Sequence, residues 1–389
     1  MKDIFKNLIK GIIYRYYYYT KSNSIRYVYF DAWDGKYSDN PRAISEKLHE
    51  MKADSNILWH YNGNENQIPS YNKIVSGVIQ NIKAMAQASV WVFCHEVPTY
   101  VVKKKDILYI QTWHGDRGFK ECGVVAEKSM GKKFSFNTGG KYIETKGIDY
   151  LVVGSDFGEE QLPKFWGYEG VCLKYGCPRN DKLVNISDFT SEASIIKKKI
   201  GINDNMNVLL YAPTFRDSKA NFKDYYIDLK RTISLLNKSS NKWICLVRAH
   251  QITGSFETEG LDVIDVTSYP DMADLLLITD LLISDFSSCL CDFVLTGKPA
   301  IQAVFDLDDF VKRSRHLLMN LEDVGYPIVK TQKELDYLIE NIDKIDFKKI
   351  NNKVNKYYGT KETGKASERV ANIIIDWINK QYDQNRFSI

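Results

Sequence analysis

Short apolar runs alternate with stretches of helical periodicity along most of the chain, and that alternation sets the fold class. Runs rich in β-branched and aromatic residues occur at RYVYFD (26–31), NILWHY (56–61), SVWVFCH (89–95), ILYIQTW (107–113) and DYLVVGS (149–155). Further runs follow at NVLLYAP (207–213), KWICLVRAH (242–250), LDVIDV (261–266), DLLISD (280–285) and PAIQAVF (299–305). Each reads as a buried strand. Between them, Pro41–Met51, Ile74–Ala86, Tyr226–Asn237 and Asp271–Thr279 read as helices. This order predicts an α/β protein with parallel sheets and helices on both faces.

The polar stretch NISDFTSEAS (185–194) interrupts the alternation and reads as a linker, after which a fresh series begins at Asn207. The expected organisation is a basic segment over 1–26, a first α/β domain over 27–188, a second over 189–364 and a final helix over 365–389. That helix has the means to cross back to the first domain. Two such domains predict a cleft with ligands at the carboxyl ends of the strands.

Composition narrows the class. A chain of 389 residues, 44% hydrophobic and 26% charged, is large enough for two cores. A formal charge of +4 is too mild to argue for nucleic acid. Seven scattered cysteines show no CxxC and no metal-like spacing, and the odd count points to reduced thiols in a cytoplasm. No apolar run approaches the roughly 20 residues of a spanning helix. The first 26 residues carry six Lys or Arg against one Asp, with Ile4, Phe5, Leu8, Ile9, Ile12 and Ile13 at near-helical spacing before Tyr16–Tyr19. Two readings stand: a helix in the headgroup layer of an anionic membrane, or one docked on its own domain.

Four stretches place polar, reactive residues directly after a strand. In QTWHGDRGFK (111–120), His114 and Gly115 follow the strand, then Asp116, Arg117 and Lys120. Histidine exchanges protons near neutral pH, and glycine lets the backbone turn. In YAPTFRDS (211–218), Thr214, Arg216 and Ser218 form a cluster able to hold phosphate. In ICLVRAHQ (244–251), Arg248 and His250 lie two apart and so share one side of a strand. His95 also closes a strand, with no Gly or Arg beside it. In LLISDFSS, Asp285 ends the strand and Ser287 and Ser288 open a helix expected to run to about Thr296, a phosphate site in form. DLDD (306–309) reads as the start of a surface helix, no metal constellation appears, and a divalent-metal requirement stays open.

In this order the stretches resemble the CDP-glycerol glycerophosphotransferase family of teichoic-acid and capsule polymer enzymes. YSDNPRAI (37–44) is similar to its early acceptor-domain segment, and WHG (113–115) with Lys120 and Gly123 to its WHG…K…G signature. YAPTFRD, RAH, ISDFSS with TGKP, and GKASERV (364–370) match later signatures. The resemblance implies a GT-B-type architecture, two Rossmann-like domains with parallel sheets facing across a cleft. It implies transfer of glycerol phosphate, or ribitol phosphate, from a CDP-alcohol to a lipid-linked teichoic-acid or capsule acceptor, with release of CMP. It also implies a cytoplasmic protein peripheral on the inner face of the membrane. By matching position, His114 takes the general-base role and His250 is a second essential histidine near the donor phosphates. Thr214, Arg216, Arg248, Asp285, Ser287 and Ser288 fall on the donor side, and Asn40, Arg42, Asp116, Arg117 and Lys120 on the acceptor side. The chain departs from the family where Asp116–Phe119 replaces the usual residues after WHG, and where FDLDDFVKRSRHLLMN follows PAIQAVF. A glycosyltransferase using a nucleotide sugar and a non-catalytic polymer-binding homologue remain alternatives.

Overall fold

The computed structural model describes residues 2–21, 26–54, 56–129, 131, 145–214, 226–238, 242–249, 262–313 and 316–386. Arg216, Ser218 and His250 lie outside them. The chain divides into two compact units, each built on its own parallel sheet.

The first unit holds seven strands: β1 (Tyr27–Asp31), β2 (Ile57–His60), β3 (Lys73–Val75), β4 (Ala88–Phe93), β5 (Leu108–Gln111), β6 (Tyr150–Val153) and β7 (Val171–Lys174). They lie in the order β3-β2-β1-β4-β5-β6-β7, every pair parallel. The order reverses between β1 and β4, which makes their carboxyl ends the switch point where such sheets take ligands. Alternation sends successive side chains to opposite faces. Val28 and Phe30 of β1 join Val90 and Val92 of β4 under helices Asp39–Glu50 and Ala366–Arg386. Tyr29, Trp91, Phe93 and Tyr109 form the other face, under helices Val78–Gln87 and Lys2–Tyr19.

The second unit holds β8 (Asn207–Ala212), β9 (Trp243–Val247), β10 (Val263–Asp265), β11 (Leu281–Ser284), β12 (Ala300–Ala303) and β13 (Ile328–Val329). Their order is β10-β9-β8-β11-β12-β13, again all parallel, with the reversal between β8 and β11. All ten expected strands form. The three not expected, β3, β7 and β13, are edge strands of two to four residues, too short and too exposed to show a period.

The units are not consecutive. The first comprises Met1–Asp116, Lys133–Asp181 and Lys361–Ile389; the second comprises Arg117–Lys132 and Lys182–Thr360. The stretch read as a linker is helical: a 3-10 turn over Ile186–Phe189 leads into helix Thr190–Ile200. Its Thr, Ser and Glu residues are those of a helix start, and that helix buries Ile196.

The first helix docks on its own unit through Tyr14, which is fully buried edge-on against Trp91. The opposite face leaves Ile4, Phe5, Leu8 and Ile12 57–66% exposed. Among the described residues no helix is long and apolar enough to cross a membrane.

Candidate functional site

At the carboxyl end of β5, the Thr112 amide and hydroxyl both donate to the Phe93 carbonyl, at 2.8 and 3.0 Å. Trp113 then takes a left-handed backbone (φ +48°) and Gly115 a φ of +140°, turning the chain sharply. Half-buried His114 is held by that turn between two indoles, with ring centroids 4.4 Å from Trp33 and 4.4 Å from Trp113. Its Nδ1 lies 3.0 Å from the Cys94 carbonyl, which accepts a hydrogen bond from that nitrogen. The tautomer is thereby fixed with Nε2 as the basic nitrogen. Burial lowers the His114 pKa below the ordinary histidine value and outweighs the Asp39 charge and the Cys94 carbonyl.

The turn is gripped from beneath. Asn40 is fully buried, and its amide donates to the carbonyls of Trp113 at 2.8 Å and Thr112 at 3.3 Å. Arg179 donates through Nη1 to the His114 carbonyl at 2.6 Å and to Asp39 Oδ1 at 2.9 Å. Asp39 Oδ2 accepts from the Trp33 indole at 3.0 Å. Asn40 therefore supports the His114 turn, while Arg42 pairs with Glu46 at 2.8 Å and lies over the Tyr37 ring.

The residues after His114 part company. Asp116 is buried in the first unit, where it accepts from the Gly154 amide at 2.8 Å and the Ser155 hydroxyl at 2.6 Å. Any side chain at Gly158 would strike that carboxylate, which is why this helix turn is glycine. Arg117 belongs to the second unit and pairs with Asp292 at 3.2 Å, both side chains buried. Gly118 packs on Ser288, and the Lys120 ammonium sits 5.9 Å from the Phe310 ring, itself stacked on Phe286. Asp116 and Arg117 both turn inward, because each meets a buried partner of its own unit.

In the second unit, Thr214 and Asp285 come together at the switch point. Asp285 Oδ1 accepts from the Thr214 amide at 2.9 Å and the Phe286 amide at 2.6 Å, and its carbonyl accepts from Gln302 at 2.8 Å. Asp285 thus ties the β8 loop to the β11 loop. Arg248 follows β9, its amide donating to the Tyr211 carbonyl at 2.9 Å. The helix expected to run to Thr296 is shorter: an α-helix over Cys289–Phe293, continued by a 3-10 turn over Val294–Thr296. Ser288 stands at its start without a side-chain capping bond, and Ser287 Oγ accepts weakly from the Cys289 amide at 3.4 Å.

Two groups among the described residues bring potential metal ligands within 4.8 Å: Asp31, Asp34 and His60, and Asp116, Cys177 and Glu362. In both, carboxylate oxygens already accept from protein donors, including His60 at 2.8 Å in the first and Ser155 at 2.6 Å in the second. Trp33, Asp39 and Arg179 were not legible as site residues. Arg179 reaches His114 across 65 positions of sequence, and no local motif marks such a pairing.

The family model described as CDP-Glycerol:Poly(glycerophosphate) glycerophosphotransferase matches residues 12–376. A teichoic acid poly(glycerol phosphate) polymerase of Staphylococcus epidermidis is 30% identical over 373 residues, covering 91% of this chain and 51% of that protein. The chain thus spans about half the length of that relative. A teichoic acid glycerol-phosphate transferase of Staphylococcus aureus is 29% identical over 388 residues, covering 96% of this chain and 99% of the other. Among solved structures, a variant of the wall teichoic acid polymerase TagF aligns with a TM-score of 0.83 at 26% identity, over 97% of this chain and 96% of that one.

Proposed function

The chain belongs to the CDP-glycerol:poly(glycerophosphate) glycerophosphotransferase family, and from that premise we propose that it transfers glycerol phosphate from CDP-glycerol to a hydroxyl of a lipid-linked teichoic-acid acceptor. The observation that carries the reading is His114. It is an imidazole with one nitrogen committed to a backbone carbonyl and the other left basic, and burial keeps it neutral at physiological pH. That is the state a general base needs.

The acceptor oxygen attacks the β-phosphorus of the CDP-alcohol, a new P–O bond forms, and the bond to the departing CMP breaks. His114 Nε2 takes the hydroxyl proton, a contribution typically on the order of 10²–10⁴-fold. On the donor side, Thr214, Arg248, Ser287 and Ser288 offer hydroxyls and a cation to the phosphates, together with Arg216 and His250 outside the described residues. Asp285 positions the Thr214 loop. Ribitol phosphate as donor, and a capsule polymer as acceptor, use the same chemistry.

Peripheral attachment to the inner face of the membrane belongs to the same proposal. It is supported by the exposed stripe of Ile4, Phe5, Leu8 and Ile12 on a helix that also carries Lys6, Lys10 and Arg15.

The test is nucleotide release with CDP-glycerol, CDP-ribitol and a panel of UDP-sugars, with products sized on a lipid-linked acceptor. CMP release from a CDP-alcohol is expected. His114→Ala is expected to abolish it with the fold intact, and near-normal turnover in that variant removes His114 from the mechanism. Because the base must be unprotonated, wild-type activity is expected to fall with decreasing pH through a value below that of an ordinary histidine.

A further inference from the structure

Asp31, His60 and His95 form a cluster at the carboxyl ends of β1, β2 and β4, beside His114 but not part of the chemistry above. Asp31 and His60 are 3% and 6% exposed. His60 donates from Nδ1 to Asp31 Oδ2 at 2.8 Å, and its Nε2 faces the Asn62 amide at 3.3 Å. His95 differs. Its Nδ1 donates to the Glu96 carbonyl at 2.9 Å, so its Nε2 is left to choose between two partners. The Asp34 amide, a donor, lies 3.2 Å away, and Asp31 Oδ1, an acceptor, lies 3.3 Å away.

One nitrogen cannot satisfy both. Unprotonated, it accepts from Asp34; protonated, it donates to Asp31. We propose that His95 is a positioning residue for His114: neutral, it closes the loop of Ala32–Tyr37 onto the His114 ring, and protonated, it releases the loop. The proposal rests on the reading of His114 as the base.

The loop is of a kind that needs holding. Trp33, Asp34 and Gly35 are consecutive left-handed residues at φ +52°, +56° and +99°, a conformation that side chains other than glycine adopt only when their surroundings impose it. The loop carries the Trp33 indole, which lies tilted against the His114 ring with centroids 4.4 Å apart. Other anchors persist in either state: the Gly35 amide on Asp31 Oδ1 at 3.1 Å, the Trp33 indole on Asp39 at 3.0 Å, and Asn62 on the Asp34 carbonyl at 3.1 Å. Protonation therefore loosens the loop without unfolding it.

The groups facing His95 are Asp31 on β1, Asp34 on the loop, Glu96 beside it and, through Asp31, His60 and the Tyr29 and Tyr100 phenols. Burial pushes the His95 pKa down, but the Asp31 hydrogen bond and charge, the Glu96 carbonyl and the Asp34 charge push it up and prevail. Hydrogen bonds from His60 and His95, with the charges of both rings, hold the Asp31 carboxyl below its usual value against its own burial. The two histidines thus move apart, His95 above and His114 below the ordinary value.

As pH falls, CMP release should drop in two steps, an upper one of about fivefold, the worth of one backbone hydrogen bond, and a lower one from His114. His95→Gln keeps an acceptor for the Asp34 amide but takes no proton. It should abolish the upper step, retain the lower one and leave the rate above both steps within about twofold. Asp31→Asn should move the upper step to lower pH. A readout that does not need turnover is the Trp33 indole resonance in protein labelled with ¹⁵N-tryptophan, assigned with Trp33→Phe. It should titrate at the upper step in the wild type and not in His95→Gln. A Trp33 resonance insensitive to pH in that range, or titrating alike in both proteins, overturns the proposal even if the activity reading holds. An inactive protein whose Trp33 resonance titrates as expected overturns the activity reading instead.

Discussion

Among the described residues, five non-glycine positions have a left-handed backbone; Trp33 and Trp113 lie against the His114 ring, Asp39 shares Arg179 with the His114 carbonyl, and Asp34 follows Trp33 in its loop. Each such residue costs about 1–3 kcal/mol, so its neighbours must over-determine it. Arg179 is the neighbour with the most to do, bonding both the His114 carbonyl and Asp39. Arg179→Met frees the turn that carries His114 while leaving the imidazole itself unsubstituted. A misplacement of about 1 Å is expected to lower kcat by roughly 10²-fold, with the KM for the CDP-alcohol little changed. Steady-state kinetics check this, and an unaltered kcat would show that the turn holds itself. His114 was legible in the sequence because a buried strand visibly ends there. Arg179 was not, because its reach to His114 is made by folding alone. Asn40 was legible as a site residue, though what it bonds is the backbone of Trp113 and Thr112.

At the scale of elements, the strands buried on both faces announced themselves as apolar runs, whereas β3, β7 and β13 at the sheet edges did not. The first helix shows the same division within one element. Its apolar residues were plain in the sequence, but which of them face inward is set by the sheet it covers. Tyr14 packs with Trp91, Tyr29 and Ile82, while Ile4, Phe5, Leu8 and Ile12 stay outside. Two kinds of substitution should therefore separate. Phe5→Ser with Leu8→Ser should weaken binding to anionic phosphatidylglycerol vesicles, read by co-sedimentation, by roughly 100-fold or more, since each exposed apolar side chain contributes about 1.5–3 kcal/mol when buried. Release of CMP in detergent should be unaffected. Tyr14→Ala should instead lower the unfolding midpoint, by the roughly 3–5 kcal/mol typical of a deleted core aromatic. Equal vesicle binding by the double-serine variant and the wild type would rule out this stripe as the membrane contact.

At the scale of the molecule, unit membership is decided by long-range pairs that no linear reading of the chain contains. The division falls between adjacent residues: Asp116 is fixed by Gly154 and Ser155, and Arg117 by Asp292, 175 positions away. Asp181 caps the final helix, accepting from the Ala366 and Ser367 amides at 2.8 Å, and the next residue, Lys182, pairs with Asp274 at 2.9 Å in the second unit. The final helix is thus anchored on Asp181 by a pairing across 185 positions, which no local motif marks. The Arg117–Asp292 pair can be tested directly. With 1% and 7% of their side chains exposed, neither partner can return to water if the other is removed. Arg117→Ala or Asp292→Ala should each destabilise the second unit by about 3–5 kcal/mol. Arg117→Met combined with Asp292→Leu leaves no buried charge and should recover most of that loss. Trp243 is the one tryptophan in the second unit's segments, against six in the first, so urea unfolding of fluorotryptophan-labelled protein reports each unit separately. The Trp243 signal should shift to lower urea in the single variants and return in the double variant. If the double variant is as unstable as the singles, the pair is held for its geometry rather than for mutual neutralisation, and the anchoring of this chain crossing must be sought in Gly118 and Phe119 instead.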